Sequence, residues 1–373
     1  MLHVMTILGT RPEIIRLSRI IPAMDLAFRH TLVHTGQNHD PALSDVFFDG
    51  MGLRAPDVRL GVAASTPGQA IANVIAGTDA VLAERQPDAV LILGDTDSAL
   101  SAIPAKRRGV PIFHMEAGNR AFDARLPEET NRRIVDQIAD VNLPYTQLAR
   151  ENLLREGLAA DAIIVTGSPM REVLEHYAPS FAASRVLGDL GLEVRGYFAV
   201  SAHRAETVDV PDRLAALIDV LDAVADAHGL PLIVSTHPRT ARALVALGRA
   251  LHPLVRLCAP FGYADWIALQ TGARAVLSDS GTLSEESAIL EFPAVALREA
   301  HERPEAFEAG TMTMAGLSAG RVLDAIAWLA GGHRGLAHAD YAARDVSARI
   351  VRILLSYTDW VRDRAGRRPG GWA

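Results

Sequence analysis

Residues 88–98 read DAVLILGDTDS and give the clearest indication of the fold class. The predicted strand, 88–94, contains the apolar run 89–93. This run lacks the alternation of apolar and polar side chains that is typical of a strand with one solvent-exposed face. Such a run is typical of a parallel strand that is buried on both faces. The run is followed by Gly94 and the acidic Asp95. Because open α/β sheets bind ligands at the carboxyl ends of their strands, this junction is a first candidate for chemistry.

The same pattern recurs along the chain, with helical spacing between the apolar runs. Repeated strand–helix units predict parallel sheets that carry helices on both faces, so we expect an α/β fold. The predicted strands are 2–8, 30–35, 88–94, 110–115, 139–143, 162–166, 196–201, 231–236, 254–258, 274–278 and 293–298. The predicted helices include 14–28, 67–85, 128–138, 211–227 and 318–330.

A length of 373 residues favours two domains. The predicted strands fall into one group before residue 168 and another after residue 195. We therefore place a first domain at 1–168 and a second at 169–344, as two doubly wound sheets that face a shared central cleft. A last helix, at about 345–364, is expected to pack back on the first domain.

Bulk composition narrows the function. The formal net charge of −7 gives no general attraction to nucleic acid or to an anionic membrane, so any phosphate site must be local. The single cysteine, Cys258, excludes an internal disulfide framework and a multi-cysteine metal site. The chain opens without a signal-peptide layout and has no apolar run long enough for a membrane helix, so we expect a cytoplasmic enzyme.

Polar segments follow almost every predicted strand, each with Gly, Ser or Thr and a charged or imidazole side chain. Ordinary loops are polar but rarely this consistent, which predicts a set of residues that lines a ligand cleft. The segments are GTRPE (9–13), TGQNHD (35–40), GDTDS (94–98), HMEAGNR (114–120), TGSPMRE (166–172), SAHRAE (201–206), STHPRT (235–240) and SDSGTLSEE (278–286).

In SDSGTLSEE a strand runs through Ser280, Gly281 and Thr282 into a helix. Free backbone N–H groups at a helix N-terminus make an anion cradle, and glycine allows close approach. Plain capping by Thr282 and Glu285 is the structural alternative. Glu286 lies one turn into the helix, where a carboxylate could hold a ribose diol. No P-loop and no GxGxxG motif occurs, which argues against an NTPase or a nicotinamide enzyme.

Acidic and basic side chains at the other strand ends suggest acid–base work on an anionic substrate. Asp95, Glu116 and Glu128 are the candidate acids. Arg132 stands four residues after Glu128, so a simple salt pair is the alternative. Basic residues that could contact an oxyanion are Arg11, Arg132, His203 and His237. We expect no metal, because neither HExxH nor paired-cysteine spacing is present.

Taken together, these motifs resemble those of the non-hydrolysing UDP-N-acetylglucosamine 2-epimerases. The match runs in order from Gly9 to about Thr311, through GTRPE, GDTDS, HMEAGNR, LPEETNR, SAHR, STHP, DSGTLSEE and ERPEAFEAGT. The resemblance implies a two-Rossmann fold like that of GT-B glycosyltransferases, and a homodimer. It also implies anti elimination of UDP to a 2-acetamidoglycal and UDP re-addition on the other face, without a cofactor.

Site residues follow from the loops and the resemblance together. As catalytic residues we expect Asp95, Glu116, Glu128 and His203. As substrate-binding residues we expect Arg11, Arg132, His237, Trp266 near the uracil, Ser280, Gly281, Thr282, Glu286 and Arg303. Gln37 and His39 match the position where some bacterial members hold a second UDP-sugar as an activator.

Some features depart from the N-acetylglucosamine enzymes. Arg16 stands where they usually have lysine, and the segment between Arg120 and Pro127 is shorter than theirs. HMEAGNR and STHPRT look closer to a subgroup that converts UDP-2-acetamido-2,6-dideoxy-L-talose to UDP-N-acetyl-L-fucosamine, although Ala205 replaces a glutamate common there. That substrate is one alternative. A hydrolysing 2-epimerase, a GT-B glycosyltransferase and a non-catalytic UDP-sugar sensor are the others.

Overall fold

The structure, a computed structural model, describes residues 1–36, 47–62, 64–332 and 338–364. The chain folds into two compact units. Unit 1 is Met1–Val173 together with the segment that begins at Asp340, and unit 2 is Leu174–Ala339. The boundary between them falls inside the helix Met170–Ala182.

Unit 1 holds a six-stranded parallel sheet in the order β3-β2-β1-β4-β5-β6. Its strands are β1 (His3–Leu8), β2 (Arg29–His34), β3 (Val58–Arg59), β4 (Ala89–Leu93), β5 (Ile112–Met115) and β6 (Val141–Leu143). Its α-helices are Arg11–Leu17, Ile20–Ala27, Pro67–Arg85, Ala102–Arg107, Pro127–Ile138, Gln147–Arg155, the start of Met170–Ala182, and Val346–Arg364. Short 3-10 helices lie at Asp97–Ser101, Ala160–Ala162 and Ala339–Tyr341.

Unit 2 also holds a six-stranded parallel sheet, in the order β12-β11-β10-β7-β8-β9. Its strands are β7 (Phe198–Ser201), β8 (Leu232–Ser235), β9 (Val255–Cys258), β10 (Val276–Ser278), β11 (Ala294–Ala296) and β12 (Thr313–Met314). Its helices are the rest of Met170–Ala182, then Val186–Asp189, Ala205–Val208, Pro211–His228, Pro238–Leu247, Tyr263–Gly272, Leu283–Leu290, Glu305–Glu308 and Ala319–Ala330.

The central strands are apolar on both faces because helices cover both. In unit 1, Met5, Ile7 and Val90 belong to one buried cluster, and every residue of β1 is buried. The predicted α/β class with two parallel sheets is confirmed. The predicted strand 162–166 is wrong, because that segment makes only one bridge, Ile163 to Asn142. None of the described helices is long and apolar enough to cross a membrane.

A buried charge cluster holds the carboxyl end of β5 in unit 1. The Asp136 carboxylate is fully buried and accepts hydrogen bonds from His114 Nδ1 (2.9 Å), Gly118 N (3.1 Å) and Arg120 Nη1 (2.7 Å). Glu156 binds the other edge of the same guanidinium, at 2.8 and 2.5 Å. The helix Pro127–Ile138 thereby fixes the path of the chain just after β5.

The charges within this cluster shift the pKa values of its own histidine and aspartate. Burial opposes a charge on His114, but the hydrogen bond and charge of Asp136 outweigh burial and raise the pKa of His114 above its ordinary value. Burial likewise opposes ionisation of Asp136, but His114 and Arg120 keep the pKa of Asp136 below its ordinary value. The folding stability that ionised Asp136 contributes is lost as the pH falls through its lowered pKa. The folding stability that protonated His114 contributes is lost as the pH rises through its raised pKa.

Replacing Asp136 by Asn should strongly destabilise unit 1. Removing one partner of a buried ion pair leaves charge without compensation and typically costs about 3–5 kcal/mol. Urea unfolding of both proteins measures the loss. Glu151→Gln is the control, because its pair with Arg155 is exposed and such pairs contribute about 0.5 kcal/mol or less. Equal small effects in the two variants would contradict the role given to Asp136.

Candidate functional site

Two of the predicted acids follow neighbouring strands of unit 1. Asp95 comes after β4 and Glu116 after β5, and Gly94 N donates a hydrogen bond to Met115 O (3.0 Å) where these strands end. The parallel pairing of β4 with β5 therefore brings the two carboxyl-bearing segments to one edge of the sheet. This is the edge at which α/β sheets bind ligands.

Glu116 has an unusual backbone. Its φ of 64° lies in the left-handed region, which is costly for a side chain other than glycine. The side chain is only 8% exposed. Its carboxylate accepts from Asn119 Nδ2 (3.3 Å) and forms an ion pair with Arg16 Nη1 (3.1 Å). Arg16, the departure from lysine in the sequence, thus contacts a candidate catalytic acid directly.

Asp95 is held by the helix Pro127–Ile138. Arg132 Nε donates to Asp95 Oδ2 (2.6 Å), and Asn131 Nδ2 donates to the Asp95 carbonyl oxygen (2.9 Å). The other edge of Arg132 contacts Glu129 (3.0 Å). Arg132 thus bridges Asp95 and Glu129 instead of forming the pair with Glu128 that its spacing allowed.

Glu128 stands apart from the other two acids. It lies at the start of the helix Pro127–Ile138 and is partly exposed. Its side chain makes no hydrogen bond or ion pair with any residue in the described part of the chain. Its carboxylate is therefore positioned by the helix alone and is accessible to a ligand.

Arg11 and Glu13, on the loop and helix after β1, complete the charged groups of this edge. The Arg11 guanidinium lies over the Phe47 ring (5.4 Å to its centroid), and burial lowers the pKa of Arg11. Glu13, which sequence reasoning missed as a site residue, accepts from Gly9 N (2.5 Å), Thr10 N (2.9 Å) and the Thr96 hydroxyl (2.6 Å). It joins the GTRPE segment to GDTDS.

Burial raises the pKa of Glu13 to about 7, against the three hydrogen bonds that it accepts. The capping-box spacing of Thr10 and Glu13 was the available signal for its position. The possible activator residues Gln37 and His39 lie outside the described residues.

In unit 2 the segment after β10 builds a compact turn. Ser280 N donates to Ser278 Oγ (3.0 Å), and the hydroxyls of Ser280 and Thr282 lie 3.1 Å apart. The helix Leu283–Leu290 begins directly after this turn. The Thr282–Glu285 capping box is absent, since the Thr282 side chain makes no cap bond.

A side chain at Gly281 would require its neighbour Glu302 or the turn to shift. A Cβ atom there would stand 2.7 Å from Oε1 of Glu302. Glu302 is itself held in ion pairs by Arg298 (2.9 Å) and Arg204 (3.4 Å). Glycine therefore allows the turn and the Glu302 carboxylate to approach each other closely.

The remaining acids and bases of this turn are buried. Glu286 accepts from Gln270 Nε2 (2.9 Å), and Arg303 forms an ion pair with Glu285 (3.1 Å). Ser280, Gly281 and Arg303 share one pocket, which is also lined by Arg298, His301 and Glu302 among others. The structure therefore brings Arg303 to the cradle residues, whereas the Glu286 carboxylate is bonded to the helix Tyr263–Gly272.

His203 and His237 follow β7 and β8. His203 Nδ1 lies 3.4 Å from the buried carboxylate of Asp279, and its side chain is 42% exposed. His237 caps the helix Pro238–Leu247, with its Nδ1 accepting from Arg239 N (3.2 Å). Trp266 stacks with Phe261, their ring centroids 6.4 Å apart, so its place in the fold is set by an aromatic pair.

Comparison with known proteins agrees with this architecture. A family model described as UDP-N-acetylglucosamine 2-epimerase matches residues 23–355. A UDP-N-acetylglucosamine 2-epimerase structure from Rickettsia bellii is 43% identical and covers 99% of this chain and 100% of its own, with a TM-score of 0.90. The Methanocaldococcus jannaschii UDP-GlcNAc 2-epimerase, in complex with UDP-GlcNAc and UDP, is 30% identical, with a TM-score of 0.89 and coverage of 95% and 99%.

A third relative broadens the range of sugars. The UDP-2,3-diacetamido-2,3-dideoxy-D-glucuronate 2-epimerase of Pseudomonas aeruginosa is 32% identical over 87% of this chain and 91% of its own. The family match spans most of the chain, and these relatives match it nearly end to end. The chain therefore belongs to the UDP-N-acetylglucosamine 2-epimerase family.

Proposed function

We propose that this protein is a UDP-N-acetylglucosamine 2-epimerase, which reversibly converts UDP-GlcNAc to UDP-ManNAc without hydrolysis. The observation that carries the proposal is Glu116, a buried acid held in a strained left-handed backbone between Asn119 and Arg16. Strain of this kind persists where the surroundings over-determine it and clusters at functional sites. Family membership gives that site its reaction.

The reaction needs proton transfer and control of a leaving group. A base takes the proton from C2, the C1–O bond breaks, and UDP leaves to give a 2-acetamidoglycal. A proton then returns to the other face of C2, and a UDP oxygen re-forms the bond to C1. One carboxylate cannot easily reach both faces, so we assign proton transfer to Asp95, Glu116 and Glu128.

The residues of unit 2, as a UDP-binding domain, hold the nucleotide. We assign the diphosphate to the backbone N–H groups of Ser280, Gly281 and Thr282 at the helix N-terminus. Its oxygens would replace the hydroxyl oxygens of Ser278 and Ser280, to which Ser280 N and Thr282 N donate in this structure. Histidine and arginine side chains stabilise the charge that develops on the leaving group. To this part we assign His203, His237 and Arg303 of unit 2, and we also assign to it Arg11 and Arg132 of unit 1. We assign the ribose to Glu286 and the uracil to Trp266.

Assembly and location are part of the proposal. The family resemblance favours a homodimer, and the free thiol of Cys258 suits the reducing cytoplasm. Sedimentation velocity of the purified chain tests the dimer. A monomer at assay concentration would contradict it.

Proton NMR of the protein with UDP-GlcNAc in deuterated water tests the reaction. We expect loss of the C2 proton signal and appearance of UDP-ManNAc without any acceptor, which separates an epimerase from a glycosyltransferase. Release of UDP with free N-acetylmannosamine would indicate a hydrolysing enzyme instead. A higher kcat/KM with UDP-2-acetamido-2,6-dideoxy-L-talose would move the substrate to that sugar.

The cleanest test of the acids is Glu128→Gln. Because Glu128 bonds to no described residue, the amide should leave the melting temperature unchanged, while loss of a general acid–base group lowers turnover by about 10²–10⁴-fold. Asp95→Asn and Glu116→Gln should lower turnover similarly, but also lower the melting temperature, since each removes an arginine's ion-pair partner. UDP affinity should change little in all three.

Glu151→Gln on the neighbouring helix is the matched control and should keep normal turnover. Turnover, UDP affinity and melting temperature are measured on the same preparations. If Glu128→Gln keeps at least a tenth of normal turnover, Glu128 does not act in proton transfer.

Gly281→Ala tests the UDP cradle. The added methyl would overlap Glu302, so either the turn must move or the Glu302 carboxylate must shift against its ion pairs with Arg298 and Arg204. UDP affinity should therefore fall by about tenfold, equivalent to about 1.4 kcal/mol. Gly320→Ala is the control, because its Cβ would meet nothing within 4 Å. Isothermal titration with UDP measures both. Unchanged affinity in Gly281→Ala would remove this turn from the binding site.

A further inference from the structure

We propose that Asp279 is a positioning residue that fixes the orientation and proton location of His203, so that only Nε2 of the ring serves the leaving diphosphate. This inference rests on the proposed function, because it assumes that His203 contacts UDP. It adds a partner that acts through His203 and does not itself touch the substrate.

The geometry begins with a buried carboxylate. Asp279 follows β10 directly, is fully buried, and donates its own N–H to Ser201 O (3.1 Å) at the end of β7. Its Oδ2 accepts from His203 N (2.9 Å) and from Arg204 N (2.9 Å). One carboxylate oxygen therefore sets the backbone path through His203 and Arg204.

The other carboxylate oxygen of Asp279, Oδ1, faces the imidazole ring of His203. Oδ1 is buried without a hydrogen-bond partner among the described residues and lies 3.4 Å from Nδ1 of His203, close enough for a charge contact. The Ser201 hydroxyl lies 3.5 Å from the same nitrogen. An ionised carboxylate can only accept hydrogen bonds, so the proton on Nδ1 is favoured. Nε2 is then the ring nitrogen available to a ligand, and the 42% exposure of the side chain leaves it accessible.

This arrangement serves the elimination step. A ring whose Nδ1–H faces the unpartnered carboxylate oxygen of Asp279 can take a second proton on Nε2 and present a charged donor to the departing diphosphate. Partners that hold the far nitrogen of a functional histidine typically set its tautomer and affect function by about 10–100-fold, as metal-site histidines show. Asp279 occupies that place for His203.

A purely structural role is the competing explanation. Arg204 Nε also donates to the Asp279 carbonyl oxygen (2.9 Å), so the residue could act only as a clamp on the loop. The two explanations differ at one atom. A clamp needs Oδ2 and the carbonyl, whereas a positioning residue needs the charge on Oδ1.

Asp279→Asn separates them. The amide oxygen can still accept from both backbone N–H groups, but the NH2 group faces Nδ1 and donates to it. That arrangement places the neutral ring's proton on Nε2. We expect turnover with UDP-GlcNAc to fall about 10–100-fold, with a smaller change in KM and a nearly unchanged melting temperature.

Long-range ¹H–¹⁵N NMR of ¹⁵N-histidine-labelled protein reads the tautomer directly. His203 should carry its proton on Nδ1 in the native protein and on Nε2 in the variant. The native spectrum is informative even if the variant folds poorly, and a native Nε2–H tautomer would overturn the proposal.

A double-mutant cycle shows whether Asp279 works through His203. Adding Asp279→Asn to His203→Asn should cause little further loss of turnover, because the histidine is already gone. Asp226→Asn is the control, since Asp226 and His252 form a surface His–Asp pair at 3.3 Å in the same unit, and it should leave turnover normal.

Additive losses in the cycle would assign Asp279 to the clamp and overturn the inference. The proposed function fails in a different way, through absence of C2 deuterium exchange in the unaltered protein. Activity in that protein with an additive cycle therefore rejects only the role of Asp279.

Discussion

The site in unit 1 depends on one interaction, the burial of the Asp136 carboxylate under the end of β5. This carboxylate accepts from His114 on the strand, from the amide of Gly118, and from Arg120. A buried anion is tolerated only when donors surround it, so the chain must turn back on itself within a few residues. Glu116 lies inside that turn, between His114 and Gly118, and has a left-handed backbone.

Buried carboxylates also accept backbone N–H groups at two other loops that carry candidate site residues. Glu13 accepts the amides of Gly9 and Thr10, and Asp279 accepts those of His203 and Arg204. In each case a buried carboxylate collects backbone N–H groups that a tight loop would otherwise leave unsatisfied. These hydrogen bonds hold the loops in place without a ligand, an arrangement that suits electrostatic preorganisation.

The two sheets could be predicted from the sequence because short continuous apolar runs between helical segments are typical of buried parallel strands. It failed at the edges, where pairing depends on neighbours. Residues 162–166 are as apolar as a strand but find only Asn142 to bridge, while β3 and β12 are two residues long and carry no periodic signal. Motifs at strand ends predicted candidate residues, but not their partners. Arg132 binds Asp95 and Glu129, which the spacing to Glu128 did not suggest.

The acids of unit 1 differ in what holds them, and the difference bears on the chemistry. Asp95 and Glu116 are each anchored by an arginine, so their positions are set by the fold and moving them would break an ion pair. Glu128 bonds to no described residue and keeps its side-chain freedom. Two fixed carboxylates and one adjustable one suit a reaction in which a proton leaves one face of a carbon and returns to the other. In the proposed reaction, the two anchored carboxylates would define where the carbon lies. The third could follow the change in its geometry between the sugar and the planar intermediate.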